Sequence, residues 1–287
     1  MRIAFFLLTC LAAFAQTPNF GIDTKLAPQF VRKGVEQRGA IRIEDVSFRA
    51  QSGAQIDAYW VLPPGTAKGA AGLFVHWYEQ GAPNSNRTQF LDEAVRLAGS
   101  GLTSLLVSTP WSVSDWYPKR DVKKDFENSI AEVKDLRGAL LLLSQHERVD
   151  PARLALVGHD FGAMYGLLAA TAGGPTVKAA ALQAFTSSFS DWFLYNQRAL
   201  PAEGRQAVIE RLGPLDPLRY MPLLKDTPVL LQFAIGDFFV PRAQADVLAG
   251  AVKGPLKVQW YEAEHGLNAQ ATADREAWLK QVLALKN

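Results

Sequence analysis

The stretch Leu154-Ala-Leu-Val-Gly-His-Asp-Phe-Gly-Ala-Met-Tyr-Gly166 changes character at its centre. An apolar run of strand formers ends at Gly158, and small and apolar residues compatible with a helix start at Phe161. Between them, Gly158-His-Asp-Phe-Gly162 must turn a strand into a helix within a few residues. Such a turn strains its central residue, and side chains at the flanking positions would collide with neighbouring backbone. Glycine at both flanks answers that demand. The residue at the apex is Asp160, neither Ser nor Cys, and a carboxylate there limits the chemistry the site can perform.

Outward from this turn, apolar segments alternate with helical ones. Residues 41–50 and 55–62 read as strands joined by a turn at Ser52-Gly53. Residues 72–77, 102–109, 154–158, 177–185, 229–235 and 257–261 read as further strands. Helices are expected over 88–98, 123–146 and 270–285. The alternation predicts an α/β fold with a mostly parallel eight-stranded sheet and helices on both faces. Sheets of this kind place their sites at the carboxyl ends of strands. One interval breaks the rhythm. Residues 187–226 separate two strands by about forty residues and carry Trp192, Phe193, Tyr195 and Tyr220. A structureless loop that long is uncommon, so a small helical cap is expected there.

The 287 residues are 48% hydrophobic and 20% charged, which predicts one domain with a substantial core. A net charge of +2 without basic runs argues against nucleic-acid binding. Met1-Arg2, the apolar run to Phe14 and the small-x-small site Ala13-Phe14-Ala15 read as a signal peptide over 1–15. The apolar run is too short to span a membrane. A domain over 16–287, secreted or periplasmic and free of the membrane after cleavage, is the expectation. The only cysteine, Cys10, lies in that leader, in a weak lipoprotein-like context (Leu7-Leu-Thr-Cys10). The remaining chain therefore has no disulfide, thiolate nucleophile or cysteine metal site.

Two later segments give the elbow its partners. Ile235-Gly-Asp-Phe-Phe-Val-Pro241 puts Asp237 at the end of one strand, and Trp260-Tyr-Glu-Ala-Glu-His-Gly-Leu267 puts His265 after the last. The order nucleophile, acid, histidine is that of the α/β-hydrolase triad. The other histidines suit the base less well. His146 ends a helix, His159 sits within the elbow, and His76 ends a strand and shapes the loop after it. The frame resembles the α/β-hydrolase fold over nearly the whole chain after the leader. Asp216-Pro-Leu-Arg-Tyr220, Gly236-Asp-Phe-Phe-Val-Pro241 and Ala263-Glu-His-Gly266 are similar to the dienelactone hydrolase and prolyl-oligopeptidase-like branch. The elbow itself resembles epoxide hydrolases and haloalkane dehalogenases, which carry an aspartate nucleophile.

The resemblance implies a hydrolase with an Asp160–His265–Asp237 triad acting on a small molecule. A carboxylate attacking an ester carbonyl would give a high-energy anhydride, whereas at saturated carbon it displaces a leaving group and forms an enzyme ester. Water activated by His265 would then cleave that ester. Backbone N–H groups of Phe161 and of Trp77 or Tyr78 would hold the oxyanion. His76, Trp111, Trp116 and Tyr195 are expected to line the substrate pocket, with Tyr195 or Tyr220 as proton donors to an epoxide oxygen. The elbow has Phe161 where dehalogenases carry a halide-binding indole, and Trp77 could substitute as donor. Two alternatives stay open: an ester or lactone hydrolase in which Asp160 activates water, and a binding protein that has lost catalysis. No metal motif, Walker loop or dinucleotide fingerprint appears, so no metal or cofactor is expected. The sequence does not fix the oligomeric state.

Overall fold

The computed structural model describes residues 18–25 and 30–286. The proposed leader lies outside them. Among the described residues, nine strands form one sheet: β1 (Phe30–Arg38), β2 (Ile41–Arg49), β3 (Gln55–Leu62), β4 (Gly69–Val75), β5 (Thr103–Val107), β6 (Val149–His159), β7 (Val177–Gln183), β8 (Val229–Ala234) and β9 (Leu256–Tyr261). Their order is β1-β2-β3-β5-β4-β6-β7-β8-β9. The pairs from β1 to β5 are antiparallel, and the pairs from β5 onward are parallel. The expected α/β class therefore holds, with nine strands in place of eight. The strand that sequence reading missed is β1. All but its last residue are exposed, so it has no buried face to give an alternating pattern. Arg32, Lys33 and Glu36 on this edge oppose pairing with another chain.

Among the described residues there are nine α-helices, of which the last follows the final strand: α1 (Leu91–Gly99), α2 (Trp116–Lys119), α3 (Asp125–Gln145), α4 (Phe161–Thr171), α5 (Phe189–Phe193), α6 (Ala202–Leu212), α7 (Pro217–Tyr220), α8 (Arg242–Ala251) and α9 (Ala269–Val282). Ala94 and Leu97 of α1 and Trp278 and Leu279 of α9 bury against one face, with Phe74, Leu106 and Val157. Val133 and Leu136 of α3, Met164 and Leu167 of α4 and Leu248 of α8 bury against the other, with Leu73, Leu105 and Leu156. Burial of the strands on both faces is why they read as continuous apolar runs. The interval 187–226 is helical, carrying α5, α6 and α7 with two short 3₁₀ turns. It is fixed to the body through Tyr117, whose hydroxyl donates to the Trp192 carbonyl, and through Arg120, which donates to the Phe193 carbonyl at 2.7 Å.

Candidate active site

The turn between β6 and α4 has the strain its sequence implies. Asp160 sits at φ 54°, ψ −120°. A Cβ on Gly158 would lie 2.5 Å from the Gly162 carbonyl oxygen, and one on Gly162 would lie 2.1 Å from that of Val75. The α4 backbone is thus seated directly on the end of β4, and only glycine permits that approach.

Asp160 is fully buried. Its Oδ2 accepts the Tyr78 N–H at 3.1 Å, and the Phe161 N–H acts on the same carboxylate. Its Oδ1 has no partner. Burial raises its pKa to about 7, against the opposing pull of the His265 charge and the two N–H groups. His265 Nδ1 donates to Asp237 Oδ2 at 2.8 Å, and its Nε2 is buried without a partner. Burial works against the imidazolium. The Asp237 hydrogen bond and the charges of Asp160 and Asp237 outweigh it, and the His265 pKa is raised. Asp237 is held by the N–H groups of Phe239 at 2.8 Å and Val240 at 3.2 Å. The Gly236 N–H donates to the Ala263 carbonyl at 3.0 Å, which ties the Asp237 loop to the His265 loop.

No family model matches the chain. A polyketide transferase of Stachybotrys chlorohalonatus is 34% identical over 128 residues, 44% of this chain and 39% of that protein. The chain therefore spans about two fifths of the length of the curated relative it matches. Among solved structures, acetyl xylan esterase 1 from Thermoanaerobacterium superposes with a TM-score of 0.70 at 14% identity, covering 90% of this chain and 89% of that one. The acetyl xylan esterase from Paenibacillus gives 0.69 at 16%, covering 91% and 90%. The chain has the α/β-hydrolase fold.

Within this α/β-hydrolase frame, several expected residues take other places. The Trp77 N–H donates to Gln89 Oε1 at 2.8 Å, so it cannot also serve an oxyanion. Tyr78 and Phe161 supply the N–H groups that point at Asp160. The Trp77 ring instead stacks on His159 at 5.0 Å. His76 does not line the pocket. Its Nδ1 donates to the Trp77 carbonyl at 2.7 Å and its Nε2 accepts from Thr109 and Ser112, both at 2.9 Å. Burial lowers its pKa to about 4, so it is a neutral brace beneath the loop. Tyr220 donates to the Pro214 carbonyl at 2.9 Å and is absent from the cavity wall. Trp111 and Trp116 line a separate cavity.

The cavity at His265 has a volume of about 150 Å³. Tyr195 lines it, together with Tyr78, Tyr117, Trp192, Asn196 and Phe239. A space of that size holds a molecule about as large as benzene. Trp192 Nε1 and the Tyr78 hydroxyl are buried without hydrogen-bond partners, although the Tyr117 backbone lies within electrostatic reach of that hydroxyl. Burial, with the charges of Tyr117 and Glu79, raises the Tyr78 pKa, which keeps its proton in place.

Sequence reading also missed Gln89. Its Oε1 accepts from Trp77 and its Nε2 donates to His159 Nδ1 at 2.7 Å, while His159 Nε2 donates to the His265 carbonyl at 3.0 Å. One glutamine thereby links the loop after β4, the elbow and the histidine loop. A polar residue just before a helix carries no sequence signal for this role, because its partners come from distant segments. Among the described residues, no group of three or more His, Cys, Asp or Glu side chains is arranged to hold a metal ion.

Proposed function

We propose that this chain is a hydrolase in which Asp160 displaces a leaving group from saturated carbon, on a small epoxide or alkyl halide. The observation that carries this reading is the asymmetry of the Asp160 carboxylate. Oδ2 accepts the Tyr78 N–H and the Phe161 N–H acts on the same carboxylate, so Asp160 engages the donors that an acyl-transfer enzyme would keep for its substrate's oxyanion, while Oδ1 has no hydrogen-bond partner. An ester substrate would have to displace Asp160 from its own hole. A saturated carbon needs only Oδ1.

In the proposed reaction, Oδ1 forms a bond to carbon as the bond to the leaving group breaks. An alkoxide leaving oxygen takes a proton from Tyr78, whose free hydroxyl stands on the cavity wall; a halide departs as the anion and accepts the Trp192 N–H. His265 Nε2 then takes a proton from water, and the hydroxide attacks Cγ of Asp160. The resulting oxyanion rests on the Tyr78 and Phe161 N–H groups. Collapse expels the alcohol, whose oxygen takes the proton held by His265; the carboxyl group left on Asp160 returns its proton to the Tyr78 phenolate, or to solvent when a halide was the leaving group, which restores the carboxylate with one oxygen from water. Asp237 holds the imidazolium in orientation during that step.

The test separates the two half-reactions. His265→Gln, given an epoxide or alkyl halide small enough for the cavity, should accumulate an alkyl adduct on the peptide containing Asp160, because ester hydrolysis without a general base is slow. Turnover of such a substrate by the wild type with no adduct in the variant would refute it. The second reading, ester or lactone hydrolysis with Asp160 activating water, draws support from the fold shared with acetyl xylan esterases. Ester hydrolysis that survives Asp160→Asn would favour neither role for Asp160 and would move the chemistry elsewhere.

A further inference from the structure

The aromatic residues after β5 serve a cavity other than the catalytic one. Trp111 and Trp116, with Tyr165 and Phe193, line a space of about 360 Å³. Trp111, Trp116 and Phe193 each pack on Phe161, at 5.6, 5.7 and 5.8 Å between ring centres. Phe161 also packs on Tyr78 and Trp192 of the cavity at His265, so its ring lies between walls of the two spaces. The opposite wall is one stripe of α3. Asp125, Ser129, Glu132 and Asp135 recur at helical spacing and all line the cavity. A polar stripe on the inner side of a long helix is the reverse of what packing alone requires.

The charges on that stripe do not balance. Asp125 is paired with Arg120 at 3.3 Å, both side chains 4% exposed. Asp135 accepts the Ser52 N–H at 2.7 Å and the Ser52 hydroxyl at 2.6 Å. Tyr165 is bonded to Ser129 at 2.8 Å. Glu132 is 5% exposed, and its Oε1 has no partner. An orphaned carboxyl oxygen at that depth is costly unless something completes it.

We propose that this cavity binds an organic ammonium ion, with Glu132 holding the charge and the indoles of Trp111 and Trp116 packing its alkyl groups. Aromatic walls around a desolvated carboxylate are the chemistry that recognises amines and methylated amines. The volume lies within the range of small-molecule sites, and exposed Pro110 and Asn128 at its rim mark the way in. The proposal does not depend on the reaction at Asp160. The titratable and charged groups that line the cavity with Glu132 are Asp125 and Asp135 on its own helix, Tyr165 on α4 and Arg120 after α2. Burial, and then the charge of Asp135, raises the Glu132 pKa well above the ordinary carboxylate range, which favours the protonated form over the carboxylate that a cation would select. An arriving cation displaces that proton, and binding tightens as pH rises.

The experiment is isothermal titration of the intact protein with tetramethylammonium and with n-propylammonium at pH 6 and pH 8, using tert-butanol as the uncharged control. The amines should bind, more tightly at pH 8 and with release of a proton. Glu132→Gln should weaken binding by roughly tenfold. That variant is expected to fold, because an amide closely matches the carboxyl group in shape and size. Asp160→Asn should bind as the wild type does, which separates this cavity from the catalytic one. No binding, equal binding of tert-butanol, unchanged affinity in Glu132→Gln or loss of binding in Asp160→Asn would each overturn the proposal. If Glu132→Gln does not fold, proton release by the wild type and the affinity of Trp116→Leu decide: no proton released, or full affinity without the indole, refutes it.

Discussion

At the scale of single residues, the buried pair Asp160 and His265 controls when the site is ready. Asp160 attacks only as the carboxylate, and its pKa of about 7 places an acid limb in the neutral range. Adduct formation on Asp160 should rise about tenfold per pH unit below that value and level off above it. The His265 charge lowers the Asp160 pKa, so His265→Gln should move the limb to higher pH. Single-turnover rates of adduct formation across pH 5 to 9 measure this. A limb that stays put or moves to lower pH would mean that another group titrates. The order of Asp160, Asp237 and His265 and their strand-end positions were legible in the sequence, because each follows an apolar run. Tyr78 and Gln89 were less so. What distinguishes the Tyr78 N–H from that of Trp77 is the Gln89 side chain, and no local pattern brings Gln89 to Trp77.

At the scale of elements, the junction of β4, β6 and α4 determines where Asp160 stands. Gly162 lies against the Val75 carbonyl with no room for a Cβ. The change Gly162→Ala should cost about 3 kcal/mol or more or prevent folding, since backbone rather than a flexible side chain must move. Gly99 ends α1, and a Cβ there meets nothing within 4 Å. Gly99→Ala should be neutral or stabilise by up to about 1 kcal/mol. Urea unfolding of the two variants measures both, and equal effects would contradict the packing account. The glycines of the elbow were legible because a sharp turn leaves a residue-level mark. Strand β1 was not, because an exposed edge strand is specified by its partner β2 rather than by an apolar face of its own. The helical interval between β7 and β8 was visible only as an interval too long to be a loop.

At the scale of the whole molecule, one buried cation joins the layers. Arg275 on α9 donates to Glu93 on α1 at 2.9 Å, to Gln183 at the end of β7 at 2.8 Å and to Gln232 within β8 at 2.7 Å. Arg275→Leu strands the Glu93 charge in the interior and should cost about 3–5 kcal/mol, and adding Glu93→Leu should recover most of that. Denaturant unfolding of the single and double variants checks it; a double variant no more stable than the single would contradict the pairing. The overall α/β plan was legible from alternation alone, while links such as this one join residues about 180 positions apart and leave no local signal. The central claim, that Asp160 forms a bond to substrate carbon, has one direct measurement. A single turnover of an epoxide or alkyl halide by excess enzyme in heavy-oxygen water should leave the label in the Asp160 carboxylate and none in the first alcohol released, because water attacks the enzyme's own carbonyl. Label found in that first alcohol, with Asp160 unlabelled, would mean that water attacks the substrate directly and would contradict the account.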